Sequence, residues 1–302
     1  MSNTDLSGIF PALLTPYDAD GSVNLKAVAL LVEHLLEHGA HGFFICGTTG
    51  EFPFLTVDER KQITEKVLES VNGRVPVISH VGALRTQDVV DLAGHAASAG
   101  VSAISSVPPF YYGFSDEAIL DFVKAASGAT DLPFIYYHIP PRTAVSLPPA
   151  LMEKIAALPN VVGIKYSSGD LIFLRQLMEI CGPDFRVYCG QDEILLPALS
   201  FGAHGAVGST YNFLLPHSKT IWDDYHAGAW KKAEQVQYKA NRFMNLLVSY
   251  SNVAATKEVV RLCGLDLGPP RKPQTQLSAQ ARKDIAAALD RLDFWSLPGV
   301  RF

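Results

Sequence analysis

Short apolar, β-branched or aromatic runs alternate eight times with longer amphipathic segments, and this alternation constrains the fold more than any other feature of the chain. The runs are Ile9 to Leu14, Gly42 to Cys46, Pro76 to Val81, Ala103 to Val107, Pro133 to Tyr137, Val161 to Lys165, Arg186 to Cys189 and Gly205 to Gly208. Between them apolar residues return at helical spacing, as in Leu25, Val28, Leu31, Val32 and Leu35. Thr56 followed by Glu59 reads as a capping box, and Ser115 before Asp116 and Glu117 reads as a second helix start. Eight strand–helix units in roughly 210 residues, a repeat of about 28, predict parallel strands closed into a (β/α)8 TIM barrel. A doubly wound open sheet is the competing architecture, but no GxGxxG turn follows any of the runs.

From about Phe213 onward the strand pattern stops. Helical patterns continue over Phe213 to Ala227, Trp230 to Ser249, Ala254 to Cys263 and Ser278 to Leu292, with the Gly268-Pro269-Pro270-Arg271-Lys272-Pro273 segment as a loop inside the tail. The expected organisation is a barrel carrying the active site over residues 1–228 and a C-terminal helical extension over 229–302. With 25 Lys plus Arg against 30 Asp plus Glu, a net charge of -5, the chain lacks the basic excess that a nucleic acid partner requires. No apolar run approaches the ~20 residues of a membrane span, and the first residues lack a secretion-signal pattern, so a cytoplasmic protein is expected. Cys46, Cys181, Cys189 and Cys263 form no CxxC pair, which points to reduced thiols and to no structural metal.

In such a barrel the chemistry gathers where strands end. Val161-Val162-Gly163-Ile164-Lys165 delivers an amine to the barrel mouth. A lysine at its ordinary pKa of about 10.4 is almost wholly protonated at neutral pH, so a nucleophilic one needs desolvation or cationic neighbours. The run ending Tyr136-Tyr137-His138 is followed by Ile139-Pro140, which keeps it extended, and alternation lets one of the two tyrosines face inward. A phenol beside an amine suits proton transfer during imine formation. Cys46-Gly47-Thr48-Thr49-Gly50-Glu51 offers hydroxyls and amides to a small carboxylate, without the lysine and spacing of a Walker loop.

Taken together, Gly47-Thr48-Thr49-Gly50-Glu51, Tyr136-Tyr137-His138-Ile139-Pro140, Gly163-Ile164-Lys165 and Gly205-Ala206-Val207-Gly208-Ser209-Thr210-Tyr211-Asn212 stand in the order and spacing of a known superfamily. Over nearly its whole length the chain resembles the class I, Schiff-base aldolases of the N-acetylneuraminate lyase and dihydrodipicolinate synthase superfamily. The resemblance implies that Lys165 attacks the ketone of pyruvate or of a 2-oxo acid, that Tyr137 shuttles protons, and that Thr48 and Thr49, on the turn begun by Gly47, bind the substrate carboxylate. It implies no cofactor and no metal, because the protonated imine is the electron sink. It also places Tyr111, in Pro109-Phe110-Tyr111-Tyr112, in a neighbouring protomer's site, which implies a homo-oligomer, a dimer of dimers in the family's usual form.

The signals for substrate divide. Gly190, Asp192, Glu193, Ser167, Gly208 and Ser209 match the sialic acid lyase branch, where such groups bind the hydroxyls of a sugar chain. Arg142, in Pro140-Pro141-Arg142-Thr143, matches the synthase branch, where an arginine binds a carboxylate of the second substrate. An ordinary loop salt bridge is the competing reading of Arg142. The preferred expectation is reversible cleavage of a 4-hydroxy-2-oxo sugar acid to pyruvate and an aldehyde. The alternatives are condensation of pyruvate with aspartate semialdehyde, a 2-oxo-3-deoxy sugar acid aldolase or dehydratase, and a non-enzymatic 2-oxo acid sensor. His34, His38 and His41 have metal-like spacing but fall at a helix C-terminus, at the end of a barrel opposite the chemistry.

Overall fold

The computed structural model describes residues 5–302, and in it eight strands form one parallel sheet. They are β1 (Gly8–Pro11), β2 (Phe43–Ile45), β3 (Val77–His80), β4 (Ala103–Ser106), β5 (Phe134–His138), β6 (Val161–Tyr166), β7 (Arg186–Cys189) and β8 (Gly205–Gly208). Hydrogen-bonded neighbours follow the order β1-β8-β7-β6-β5-β4-β3-β2. A parallel bridge from Ala12 to Phe44, with the Leu13 amide donating to the Phe44 carbonyl at 2.9 Å, returns β1 to β2. The sheet therefore closes, and the fold is a (β/α)8 TIM barrel with additional C-terminal helices.

Alternation along the strands divides the apolar residues between two cores. Phe10, Phe44, Ile78, Ala103, Ile135, Tyr137, Tyr188 and Val207 fill the barrel interior. Their neighbours Ile9, Phe43, Ile104, Phe134, Tyr136, Ile164 and Val187 face outward under the helices. Leu6 joins the interior cluster, and the Tyr188 hydroxyl donates to its carbonyl at 2.9 Å, so the segment before β1 contributes to the barrel filling. β1 is shorter than the apolar run suggests. Its ladder with β8 ends at Pro11, while Leu13 and Leu14 stay apolar because they enter the outer core, the Leu14 amide bonding to Asn212 Oδ1 rather than to a strand.

The helix starts follow local chemistry. Thr56 and Glu59 form a complete capping box on helix Val57–Val71, and Ser115 caps Asp116–Ser127 by accepting from the Ala118 amide. Helix Tyr211–His226 completes the eighth unit, and Trp230–Val248, Asn252–Cys263 and Ala279–Arg291 follow it. Ala233, Phe243, Val259 and Leu289 of these last helices lie in the same apolar cluster as the outward strand residues, so the extension shares the barrel's outer core. No helix among the described residues is long and apolar enough to cross a membrane.

Candidate active site

Strand register sets the centre of the site. Tyr137 on β5, Lys165 on β6 and Tyr188 on β7 are partners across the sheet, which places all three side chains at one level of the interior. Lys165 is 4% exposed. Its Nζ lies 4.2 Å from the Phe44 ring centroid and 4.1 Å from that of Tyr137, two rings packed edge to face. Those two rings enclose the amine and exclude water from it. Among the described residues no carboxylate forms an ion pair with Lys165. Gly47 is required by the same packing, since a Cβ there would stand 2.7 Å from the Phe44 ring.

The loop after β2 brings hydroxyls to the phenol. Thr48 Oγ1 is 3.3 Å from Tyr137 Oη, and either oxygen can donate. Thr49 lines the same cavity. The Gly50 carbonyl accepts from the Thr15 hydroxyl at 2.7 Å, fixing the loop from beneath. His80 supports Tyr137 edge to face at 5.9 Å. Burial, reinforced by the Arg60 and Lys165 cations, holds its imidazole well below the ordinary histidine range. It is therefore neutral, and its two hydrogen bonds assign the tautomer: Nδ1–H donates to the Cys46 carbonyl and Nε2 accepts from the Val107 amide.

The opposite wall comes from the ends of β6, β7 and β8. Asp192 is 6% exposed, and its Oδ2 accepts from both the amide and the hydroxyl of Thr210 at 2.8 and 2.7 Å. Burial, with the neighbouring Glu193 adding, pushes the Asp192 carboxyl up to about 6, against the pull of those two bonds. A Cβ on Gly208 would stand 2.1 Å from Asp192 Oδ1, and one on Gly190 would stand 1.9 Å from Ser167 Oγ. Both glycines thus leave room for polar side chains that line the cavity. Ser167 Oγ is buried without a hydrogen-bond partner among the described residues. From helix Trp230–Val248, Gln237 donates to the Asp192 carbonyl and Asn241 to the Glu193 carbonyl, so the extension holds this turn from outside.

One cavity of about 590 Å³ joins these groups. Of the residues expected from sequence, Thr48, Thr49, Tyr137, Arg142, Lys165, Ser167, Gly190, Asp192, Glu193 and Ser209 line it. Gly47 and Gly208 shape it from behind through the contacts just described. Arg142 is exposed at its mouth and has no ion pair among the described residues, so the loop salt bridge that competed with ligand binding is not formed. Tyr111 does not line the cavity; it is 82% exposed, at a positive φ of 84°. Sequence reasoning missed the wall made by Met244, Leu247, Val248, Tyr250, Ser251 and Asn252. Its only sequence signal was the break between two tail helices. The histidine trio is engaged elsewhere: His34 stacks on Phe302 and packs at a tilt against His38, and His41 Nδ1 accepts from the Ile9 amide.

The sequence profile described as the Dihydrodipicolinate synthetase family matches residues 5–292. The chain belongs to this family. Curated relatives divide between two activities. The chain is 36% identical to an N-acetylneuraminate lyase of Rhizobium meliloti (strain 1021), over 89% of each sequence. It is 34% identical to a 4-hydroxy-tetrahydrodipicolinate synthase of Bacillus subtilis (strain 168), over 95% of this chain and the whole of that one. Among solved structures, a sialic acid aldolase of Ruminococcus gnavus described as a catalytic lysine mutant superposes with a TM-score of 0.91 at 28% identity, covering 97% of this chain and 98% of the other. Family members are lyases or synthases of the class I aldolase type, and relatives at this level of identity fall on both sides.

Proposed function

We propose that the protein is a Schiff-base lyase that reversibly cleaves a 4-hydroxy-2-oxo acid, a sugar acid, into pyruvate and an aldehyde. The observation that carries this reading is Lys165: a buried amine without a carboxylate partner, seated between Phe44 and Tyr137, with the Tyr137 phenol bonded to Thr48. A relative whose lysine is described as catalytic has the same fold.

In this reading the Thr48–Thr49 turn takes the C1 carboxylate. The neutral Lys165 amine adds to the C2 carbonyl, and the Tyr137 phenol protonates the carbinolamine oxygen, which leaves as water and yields a protonated imine. The phenolate then accepts the C4 hydroxyl proton, with Thr48 as its hydrogen-bonded neighbour. The C3–C4 bond breaks, its electron pair passes into the imine to give an enamine, and the aldehyde departs. Protonation of C3 and hydrolysis release pyruvate and regenerate the amine.

The polar wall of Ser167, Asp192, Glu193 and Ser209 supports a hydroxylated aldehyde portion. A second reading, condensation of pyruvate with aspartate semialdehyde, is favoured by one observation, the unpaired Arg142 guanidinium at the mouth. The exposed Tyr111 fits the proposal that it completes the site of a second copy of the chain in a homo-oligomer. Pyruvate-dependent consumption of N-acetylmannosamine and of aspartate semialdehyde, on wild type and Arg142→Ala, tests the choice. Turnover of the sugar aldehyde, unchanged in the variant, supports the lyase. Turnover of the semialdehyde alone, falling roughly 10- to 100-fold in Arg142→Ala, replaces it with the synthase.

A further inference from the structure

Glu51 ends the loop that carries Thr48 and Thr49, and it is held more tightly than a turn requires. Its backbone occupies the left-handed region, φ 63° and ψ 32°, which glycine enters freely and a residue with a Cβ does not. A second glycine after Gly50 would satisfy such a turn; the chain places there a carboxylate that is 1% exposed. One carboxylate oxygen lies 2.8 Å from Lys257 Nζ, an ion-pair contact outside hydrogen-bond geometry. The other accepts from the Arg271 amide at 2.8 Å and from Gln274 Nε2 at 2.5 Å. Lys257, 3% exposed, donates to the Pro269 carbonyl at 3.2 Å and faces the Tyr17 ring at 4.3 Å. Among the described residues every hydrogen-bond or ion-pair partner of the Glu51 side chain thus belongs to the C-terminal extension.

Apolar contact would fasten the extension to the barrel as well as a buried ion pair does, because desolvating two charges offsets much of their attraction. A charged pair with fixed partners defines one relative placement of the two segments, which apolar contact does not. That placement reaches the reaction cavity from both sides. The helix Asn252–Cys263, which carries Lys257, begins at the cavity wall with Ser251 and Asn252. On the other side the Glu51 amide donates to the Thr48 carbonyl at 3.1 Å and the Phe52 amide to the Gly47 carbonyl at 3.2 Å. Release of Glu51 from its conformation therefore displaces the threonines through the backbone.

We infer that Lys257 and Glu51 are positioning residues for the carboxylate turn, locking helix Asn252–Cys263 to the loop after β2 so that the Thr48 and Thr49 hydroxyls keep one geometry. The inference rests on the proposed role of that turn in binding the 2-oxo acid carboxylate. Borohydride trapping of the pyruvyl imine across a range of pyruvate concentrations tests it, on wild type, Lys257→Met and the milder Gln274→Ala, with folding checked by circular dichroism. The expected result is a half-saturating pyruvate concentration raised about 10-fold or more in Lys257→Met and about 3-fold in Gln274→Ala, with the maximal label near that of wild type because Lys165 is untouched. A merely structural role lowers the labelled fraction and leaves half-saturation unchanged, and that result overturns the inference. If Lys257→Met does not fold, Gln274→Ala decides alone. Wild-type protein that pyruvate leaves unlabelled sinks the underlying aldolase reading and this inference with it; labelled wild type with unshifted variants sinks this inference only.

Discussion

Replacing Asp192 by Asn separates what this residue does for the fold from what it does for the site. Its carboxyl is pushed from an ordinary 3.8 up to about 6, first by burial and then by Glu193. A raised carboxyl contributes stability that is fully present below about pH 3.8 and is lost as the pH rises through 6, because between those values the native state binds the extra proton. Above pH 6 the ionised Asp192 therefore costs roughly 3 kcal/mol. The two bonds from Thr210 are already inside that net value, since they hold the carboxyl down. Asn keeps an acceptor for Thr210 and removes the charge. Asp192→Asn is expected to gain about 2–3 kcal/mol at pH 7.5, roughly 3–6 °C in melting temperature for a chain of this size, and about half as much at pH 5. Thermal unfolding followed by circular dichroism at the two pH values measures it. The same variant is expected to lose turnover of hydroxylated aldehydes. A gain that does not depend on pH, or a variant less stable than wild type at pH 7.5, would show that burying the Asp192 charge does not cost stability.

Two further substitutions probe the two walls of the cavity. Gly190→Ala puts a methyl 1.9 Å from Ser167 Oγ, so kcat/KM for a sugar aldehyde should fall about 10-fold or more while pyruvate labelling persists; unaltered sugar kinetics would remove Gly190 and Ser167 from the substrate wall. Tyr137→Phe keeps the ring, whose centroid lies 4.1 Å from Lys165 Nζ, and removes only the hydroxyl bonded to Thr48. Its kcat should drop roughly 100- to 10,000-fold with little change in melting temperature, and near-wild-type turnover would refute the proton-transfer role.

The barrel was legible because its signals are local. Each strand is a short apolar run bounded by Gly, Pro or polar residues, and each strand end carries its own chemistry within a few residues. Lys165, one of the two tyrosines Tyr136 and Tyr137, and the Thr48–Thr49 turn could be placed together once the strands were taken as parallel and closed, and the family resemblance selected Tyr137. At β1 the reading ran too long, because Leu13 and Leu14 are apolar for burial in the outer core rather than for a ladder. Long-range pairing was illegible. Lys257 reads in sequence as an ordinary charged position on an amphipathic helix, and only the fold brings it against Glu51. Met244 and Leu247 read as parts of a helix packing on the barrel, which they are, while Asn252 falls in the break between two tail helices, and nothing local says that the end of one helix and the start of the next also close the mouth. For Arg142 the open question was whether a carboxylate pairs with it, and none among the described residues does.

Every step of the proposed reaction depends on an imine between Lys165 and a 2-oxo acid. Intact mass and peptide mapping after incubation with pyruvate and borohydride, on wild type and Lys165→Ala, test it before any aldehyde is known. One reduced pyruvyl adduct on Lys165 is expected in wild type and none in the variant. Wild-type protein that remains unmodified, or an adduct that survives in Lys165→Ala, would contradict it.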